Sequence, residues 1–262
     1  MYQSINLEKL RVENANYLTK TPFEHQKDAF SHLSRLFVSE GDGHKSGLLV
    51  LPTGAGKTFT AVNWICRNVI SQGMKVLWLA HTSHSLEQAY ETFLENMLEI
   101  HSRDTINIRI VSSNPAHSNP SQIELSDDIL IITTQTAISN WNSKALDLSG
   151  KRRITAFEKY VKTQCKEGLF LVLDEAHHAP AFGCRNLLVG GGNGRKGIRD
   201  IADRVCFLGL TATPTYNDER RRGWLFEIFN TELFDKKGII YEADKADLVR
   251  QGILALPNYI QR

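Results

Sequence analysis

Residues 47–58 read GLLVLPTGAGKT, a short apolar run that leads into a glycine-rich turn and then into Lys57 and Thr58. Glycines let the backbone curl so that several N–H groups point at one anion, and the N-terminus of a following helix adds its dipole. Lys57 can reach terminal phosphates, and the Thr58 hydroxyl can ligate Mg²⁺. The stretch departs from the strict pattern at Leu51, where glycine is usual. It predicts a phosphate-binding loop between a strand and a helix, formed by Thr53, Gly54, Ala55, Gly56, Lys57 and Thr58.

Four further runs of Leu, Ile and Val follow along the chain, at 76–80, 129–133, 169–173 and 205–210. None of them alternates strictly with polar residues, which is typical of parallel strands covered on both faces. Helical apolar patterns separate the runs, so we predict an α/β fold with a mostly parallel central sheet and helices on both faces. Ligands of such sheets bind beyond the carboxyl ends of the strands.

Three local patterns refine this prediction. The alternation of three isoleucines at 106, 108 and 110 with polar residues predicts a half-exposed strand. Thr21-Pro22-Phe23-Glu24 has the form of a capping box with proline at the first helical position, which predicts a helix start there. Ser85, with Gln88 three residues later, predicts the start of the helix that follows the run at 76–80.

Composition excludes several classes of protein. The 262 residues carry 31 Lys and Arg against 29 Asp and Glu, a net charge of +2, which excludes a histone-like polycation and an acidic disordered tail. The apolar runs are far shorter than the ~20 residues of a membrane span, and the N-terminus lacks the apolar core of a signal peptide. The four cysteines form no C-x-x-C pair, so we expect reduced core residues. We therefore expect a cytoplasmic protein, nucleoid-associated if bacterial, with no membrane partner.

The run at 169–173 ends in DEAHH, residues 174–178. Two carboxylates at the end of a buried strand are costly unless a cation or a hydrogen-bond network compensates them. Mg²⁺ is such a cation, and the phosphate-binding loop gives a reason for its presence. We predict that Asp174 holds Mg²⁺ together with Thr58, and that Glu175 orients and deprotonates an attacking water.

Three of these features occur in a fixed order: TGAGKT at 53–58, DEAH at 174–177 and LTATP at 210–214. This order resembles the first RecA-like domain, a P-loop domain, of superfamily 2 helicases and translocases of the DEAH type, over about residues 21–214. The resemblance implies ATP and Mg²⁺ as cofactors, with Lys57 and Glu175 as catalytic residues. It implies that Gln26, within PFEHQ at 22–26, reads the adenine edge. It also implies that three residues couple the nucleotide state to nucleic acid: His177, Thr211 and Thr213.

Two weaker motifs resemble the nucleic-acid contacts of the same family. LAHT at 79–82 and ITTQT at 132–136 each follow a predicted strand. Hydroxyls and exposed N–H groups at such places position phosphates without reading bases. The resemblance implies that a DNA or RNA backbone contacts His81, Thr82, Thr134 and Gln135.

The family has a second RecA-like domain that supplies an arginine finger. After Pro214 only 48 residues remain, whereas a further domain of this kind needs roughly 150. We expect residues 1–230 to form the ATP-binding domain and residues 231–262 to form a helical or extended exit segment toward a second domain that is absent from this chain. In isolation the chain should be weakly active, since arginine-finger donation contributes about 10³–10⁵ in rate.

Three functions stay open at this point. The first is the ATP-binding half of a strand-separating DNA or RNA helicase. The second is a double-strand DNA translocase subunit of a restriction or phage-defence system, because DEAHH followed by a long insertion and LTATP is also similar to those enzymes. The third is a non-hydrolysing nucleic-acid-binding module that needs a partner in trans. The glycine-rich basic segment at 190–199 is either a phosphate contact or a solvated loop.

Overall fold

The computed structural model describes residues 1–14, 20–38, 43–141, 145–146, 149–191, 194–214 and 218–255. Eight strands of the described residues form one sheet, in the order β1-β4-β5-β3-β6-β7-β2-β8. Every pair is parallel apart from β1 with β4. The strands are β1 Tyr2–Asn6, β2 Lys45–Val50, β3 Lys75–Ala80, β4 Thr105–Val111, β5 Ile129–Thr133, β6 Leu169–Leu173, β7 Val205–Thr211 and β8 Ile239–Glu242.

Helices cover both faces of the sheet. They are α1 Leu7–Glu13, α2 Glu24–Phe37, α3 Lys57–Asn68, α4 Ser83–Glu95, α5 Thr134–Asn140, α6 Ala156–Glu167, α7 Phe182–Val189, α8 Ile198–Ile201, α9 Glu219–Ile228 and α10 Lys245–Arg250. Alternate residues of each strand enter two separate cores: Trp78 packs with α2, α3 and α4, whereas Leu77 packs with α5, α6 and α7. The predicted α/β fold with a mostly parallel sheet and helices on both faces is confirmed.

Two helix starts differ from the sequence prediction. Helix α2 begins at Glu24 with Phe23 as N-cap, and the Gln26 side chain accepts a hydrogen bond from the Phe23 N–H at 3.0 Å. The capping hydrogen bond at the start of α2 is therefore made by Gln26, and not within the capping box predicted at Thr21. Helix α4 begins at Ser83, because Thr82 is its N-cap and accepts a hydrogen bond from the Ser85 N–H at 3.1 Å.

The strand predicted at 106–110 is confirmed as β4, but the exposed face expected of it is wrong at Arg109. The isoleucines at 106, 108 and 110 are fully buried in β4, and Arg109 between them is only 4% exposed. Its guanidinium donates from Nε to Asp127 Oδ2 at 2.7 Å, and Asp127 is itself fully buried. A buried ion pair thus replaces the solvent that the polar residue was expected to face.

The C-terminal part of the described chain adds to the sheet. Strand β8 pairs in parallel with β2, and Leu248 of α10 packs into the core on the α2 side. The expected domain border at residue 230 stays a prediction, and residues 256–262 of the expected exit segment lie outside the described residues. All four cysteines are buried and free. In the described part of the chain, no helix is both long and apolar enough to cross a membrane.

The Arg109–Asp127 pair makes a stability prediction. Asp127→Ala leaves the buried guanidinium with only the exposed Glu124 carboxylate, 3.6 Å from Nη2, so we expect the free energy of unfolding in urea to fall by about 3 kcal/mol. The exposed pair between Lys237 and Glu232 provides the control, since Glu232→Ala should change it by less than about 1 kcal/mol. A double variant, Arg109→Met with Asp127→Leu, should recover most of the loss. A midpoint for Asp127→Ala equal to that of the control would contradict the assignment.

Candidate functional site

The loop after β2 has the backbone that its glycines allow. Gly54 and Gly56 have φ values of +86° and +79°, in the left-handed region that L side chains rarely adopt. Leu51 needs no such freedom, because its N–H still donates to the Thr211 carbonyl of β7 at 3.1 Å and its side chain is fully buried. The departure from the strict loop pattern therefore lies directly after strand β2 and before the turn.

Two side chains at the start of α2 fasten this loop from the other side. The His25 Nε2 atom lies 2.9 Å from the Ala55 carbonyl oxygen, and Gln26 Nε2 donates to the same oxygen at 3.3 Å. A Cβ atom at Gly56 would displace the Gln26 amide from this contact, and the φ of +79° favours glycine there in any case. Gln26, which the motif indicates, lies beside the loop, and its neighbour His25, for which the motif predicts no role, contacts the same carbonyl.

Strand β6 brings the acidic pair to the same loop. The Lys57 ammonium lies 2.8 Å from Glu175 Oε1, an ion pair between residues 118 positions apart in sequence. Glu175 has φ +50° and ψ +52°, and among the described residues it alone has a positive φ without being glycine. Left-handed backbone at such a residue costs about 1–3 kcal/mol and is typical of functional sites.

Asp174 is a buried carboxylate beside this pair. It is 5% exposed, and its Oδ1 accepts a hydrogen bond from the Glu175 N–H at 3.0 Å. Burial raises the pKa of Asp174, while the positive charge of Lys57 opposes that rise. No ion pair to Asp174 occurs within the described ranges, so its charge is left for a cation to compensate.

These side chains line one cavity of about 510 Å³. Its walls include the loop glycines Gly54 and Gly56, the start of α3 and both acidic residues. The residues expected to bind nucleotide and metal that line it are Gln26, Thr53, Gly54, Gly56, Lys57, Thr58, Asp174 and Glu175. A hydroxyl, a buried carboxylate and an ammonium around one cavity are the donor set that suits Mg²⁺ together with phosphate oxygens.

A chain of polar contacts leads away from Glu175 toward β7. His177 Nδ1 lies 3.3 Å from Glu175 Oε2 and 3.4 Å from Thr211 Oγ1. The Thr211 hydroxyl donates to the Thr213 carbonyl at 3.0 Å and accepts from the Thr213 N–H at 3.1 Å. Burial lowers the pKa of His177, which favours a neutral ring between these partners. The structure thus brings together the three residues expected to couple.

The four residues expected to contact nucleic acid follow β3 and β5, which are neighbours in the sheet. His81, Thr82 and Gln135 are exposed, and the Thr134 hydroxyl ties the two loops by donating to the Ala80 carbonyl at 3.1 Å. The four therefore lie along one edge of the sheet. Thr82 also caps α4, so its hydroxyl already has a structural partner.

His178 had no role in the sequence analysis. Its ring stacks on that of His81, with centroids 3.9 Å apart and planes inclined by 11°. This contact joins the acidic loop to the loop after β3. Burial lowers the pKa of His178, which favours its neutral ring in this stack.

Comparison with known proteins gives the family. The model described as "Type III restriction enzyme, res subunit" matches residues 19–216. The chain belongs to this family. Since its motif order and its fold also agree with the resemblance to superfamily 2, the chain is a RecA-like domain of that helicase superfamily.

Curated relatives of this Res-family chain are transcription and DNA repair factor subunits. It is 28% identical over 233 residues to the XPB subunit, a helicase/translocase, of general transcription and DNA repair factor IIH from Encephalitozoon cuniculi. The aligned region covers 87% of this chain and 28% of that protein. It is 28% identical over 225 residues to XPB2 of Arabidopsis thaliana, covering 85% and 24%. The chain thus spans about a quarter of the length of these relatives.

Solved structures with the same fold include two helicases. A hypothetical ATP-dependent RNA helicase from Sulfolobus tokodaii matches with a TM-score of 0.50 at 16% identity, over 90% of this chain and 56% of that one. The UvsW helicase of bacteriophage T4 matches with a TM-score of 0.50 at 14% identity, over 84% and 63%. At these identities the likeness concerns the fold alone.

The basic segment at 190–199 is anchored at its described ends. Trp141 Nε1 donates to the Lys196 carbonyl at 3.2 Å, and Arg199 donates to the Glu227 carbonyl at 3.1 Å while lying over the Phe207 ring. Residues 192–193 lie outside the described residues. Arg199 therefore has a packing role, and whether the segment also contacts phosphates stays open.

The burial of Asp174 predicts how the free energy of unfolding depends on pH. The folded state raises the pKa of Asp174. In the unfolded chain this carboxyl ionises at about pH 4, so above that pH the free energy of unfolding of the wild type falls as pH rises. Asp174→Asn removes this charge and keeps an oxygen for the Glu175 N–H. Without nucleotide or Mg²⁺, the variant should gain about 0.5–2 kcal/mol in unfolding free energy at pH 7 and almost nothing near pH 3.5.

The matched control is Asp235→Asn, an exposed carboxylate, which should leave stability unchanged at both pH values. Urea denaturation at pH 3.5 and 7 measures both variants. A loss of stability for Asp174→Asn at pH 7 would show that Asp174 is compensated in the apo protein.

Proposed function

We propose that this chain is the ATP-binding half of a nucleic-acid-dependent ATPase motor. The observation that carries the proposal is the Lys57–Glu175 contact of 2.8 Å at the wall of the cavity that Asp174 and Thr58 also line. A phosphate-binding loop beside two carboxylates, with a hydrogen-bonded exit toward β7, is the arrangement that ATP-driven phosphoryl transfer requires.

In this proposal the loop 53–58 cradles the phosphates with its N–H groups, and Lys57 neutralises their charge. Thr58 and Asp174 would hold Mg²⁺, which when bound neutralises and orients the phosphate oxygens. Glu175 takes the proton from the attacking water. Gln26 contacts the adenine, which requires it to share its amide with the Ala55 carbonyl.

Coupling follows the chain from Glu175 through His177 to Thr211 and Thr213. When the terminal phosphate leaves, the Glu175 carboxylate changes its partner, and the bonds of His177 change with it. Nucleic acid lies along the edge formed by the loops after β3 and β5, where it contacts His81, Thr82, Thr134 and Gln135. The His81–His178 stack supports this route because it links that edge directly to the acidic loop.

The proposed partners are a DNA or RNA backbone and a second RecA-like domain that supplies the arginine finger in cis or in trans. The isolated chain would then turn over ATP slowly. The four buried free thiols support a reducing, cytoplasmic location.

Hydrolysis tests the first part of the proposal. In the full-length natural protein, Glu175→Gln should lower nucleic-acid-stimulated ATP turnover by at least about 100-fold, because the general base is lost. Nucleotide binding, followed with a fluorescent ATP analogue, should persist. Glu227→Gln, at an exposed ion pair with Arg185, should hydrolyse at the wild-type rate. If Glu175→Gln hydrolyses ATP at the wild-type rate, Glu175 is not the general base. If the wild-type protein itself does not hydrolyse ATP, a non-hydrolysing module is favoured.

A double-strand DNA translocase is the second candidate, and the match to the restriction-enzyme Res family is the observation that supports it. Two assays on the full-length protein separate the candidates. A translocase should displace a triplex-forming strand from duplex DNA and leave the duplex paired. A helicase should release one strand of the duplex itself.

A further inference from the structure

A second cavity, of about 660 Å³, lies on the far side of β5 from the nucleotide site. It opens at the carboxyl ends of β4 and β5, between the turn that follows β4 and the first turns of α5. Gln135, one of the four expected nucleic-acid contacts, belongs to its wall. The cavity is therefore a neighbour of the proposed backbone path and lies on the same edge of the sheet.

The walls of this cavity are polar and neutral. Its described lining residues are serines, threonines, asparagines, glutamines and prolines with one histidine, and none of them is Lys, Arg, Asp or Glu. The histidine, His117, is held between Ser112 Oγ at 2.7 Å and Glu87 Oε1 at 3.5 Å, and burial lowers its pKa. The described lining residues include no cation to neutralise a phosphate, so the wall offers a ligand amide and hydroxyl groups in place of charge.

The amide side chains of the wall are held in place by their own backbone. Asn114 Oδ1 accepts from the Ala116 N–H at 3.0 Å, and Gln122 Oε1 accepts from the Asn119 N–H at 2.8 Å. Asn119 Oδ1 accepts from the Ser121 N–H at 3.3 Å. In each case the oxygen is used locally, and the NH₂ group has no partner among the residues that the structure describes. Asn119 and Gln122 are exposed and Asn114 is partly exposed, so these NH₂ groups are accessible from solvent.

Fixed NH₂ groups pair with the keto oxygens and ring nitrogens of nucleobases, and Asn and Gln are common readers of base edges. We propose that the cavity formed by the turn 112–122 and the start of α5 binds an unstacked base of a single-stranded nucleic acid. The sugar and phosphates of that nucleotide stay on the edge near Gln135. This inference rests on the proposed function, and it adds base contacts to a path that otherwise touches only the backbone.

Two oligonucleotides of equal length test it: twelve thymidines, and the same phosphodiester chain with abasic sites throughout. Fluorescence anisotropy should give about tenfold tighter binding of the thymidine strand, the scale expected of one base contact. Gln122→Glu keeps the oxygen that caps Asn119 and replaces the NH₂ group by an oxygen. Asn114→Asp does the same at the neighbouring turn. Each should reduce the preference for the thymidine strand to within about twofold.

The ratio of the two affinities is an internal control, because an added negative charge repels both strands equally. Gln72→Glu makes the same exchange at an exposed residue before β3, on the opposite edge of the sheet, and should keep the wild-type ratio. Unfolding midpoints show whether the variants are folded. If the wild type binds both strands with nearly equal affinity, or if both cavity variants keep the preference for the thymidine strand, the inference is wrong while the proposed function stands. Failure of the wild type to bind either strand would contradict the proposed function, and the inference with it.

Discussion

The position of the acidic loop depends on the close approach of Ala176 to the backbone of β7. A Cβ atom at Gly209 would lie 2.6 Å from Leu48, 2.7 Å from Phe229 and 2.9 Å from Ala176, so only glycine leaves room for this packing. Gly209 is paired with Leu173 at the end of β6, immediately before the two carboxylates. The sheet register and this one glycine thus decide where the acidic residues lie, and the loop from β2 meets them there.

This packing maintains two unfavourable features at one place. Asp174 is a buried carboxylate without an ion pair in the described residues, and Glu175 has a left-handed backbone that other residue types avoid. Both persist because the surrounding strands over-determine the geometry. Lys57 is the nearby cation, and its ammonium contacts Glu175. A phosphate that draws Lys57 toward itself would release the Glu175 carboxylate, so under the proposed function nucleotide binding itself prepares the base.

Much of the fold could be predicted because its central strands are simple. The runs at 129–133 and 169–173 coincide with β5 and β6, since a strand buried on both faces is apolar throughout. Strands β1 and β8 were missed because β1 is a mostly exposed edge with polar residues and β8 has only four residues. The alternating pattern predicts a solvent-facing residue at Arg109, since the sequence gives no sign that Asp127 is its partner.

The site was predictable to the extent that its chemistry is local. The phosphate-binding loop and the acidic pair are short contiguous patterns, and the parallel sheet brings them together. His25 and His178 could not be predicted, because each acts through a contact to a distant segment, at Ala55 and at His81. The cap of α2 was misplaced for a related reason: Gln26 uses its oxygen for the helix start and its NH₂ group for the loop, a double use that no one-dimensional pattern distinguishes from a Thr21 cap.

The small net charge bears on how such a domain could hold nucleic acid. Binding by phosphate neutralisation alone grows with the number of cationic contacts, and domains that rely on it are usually strongly basic. This chain has a net charge of +2 over 262 residues, and the edge proposed for the backbone presents hydroxyls, an amide and a stacked histidine. On that edge, affinity would therefore come from groups that need no charge, with the basic segment at 190–199 or a second domain as further sources. A neutral cavity with fixed amide donors beside that edge is one such source, and it would make binding less sensitive to salt than a purely electrostatic path.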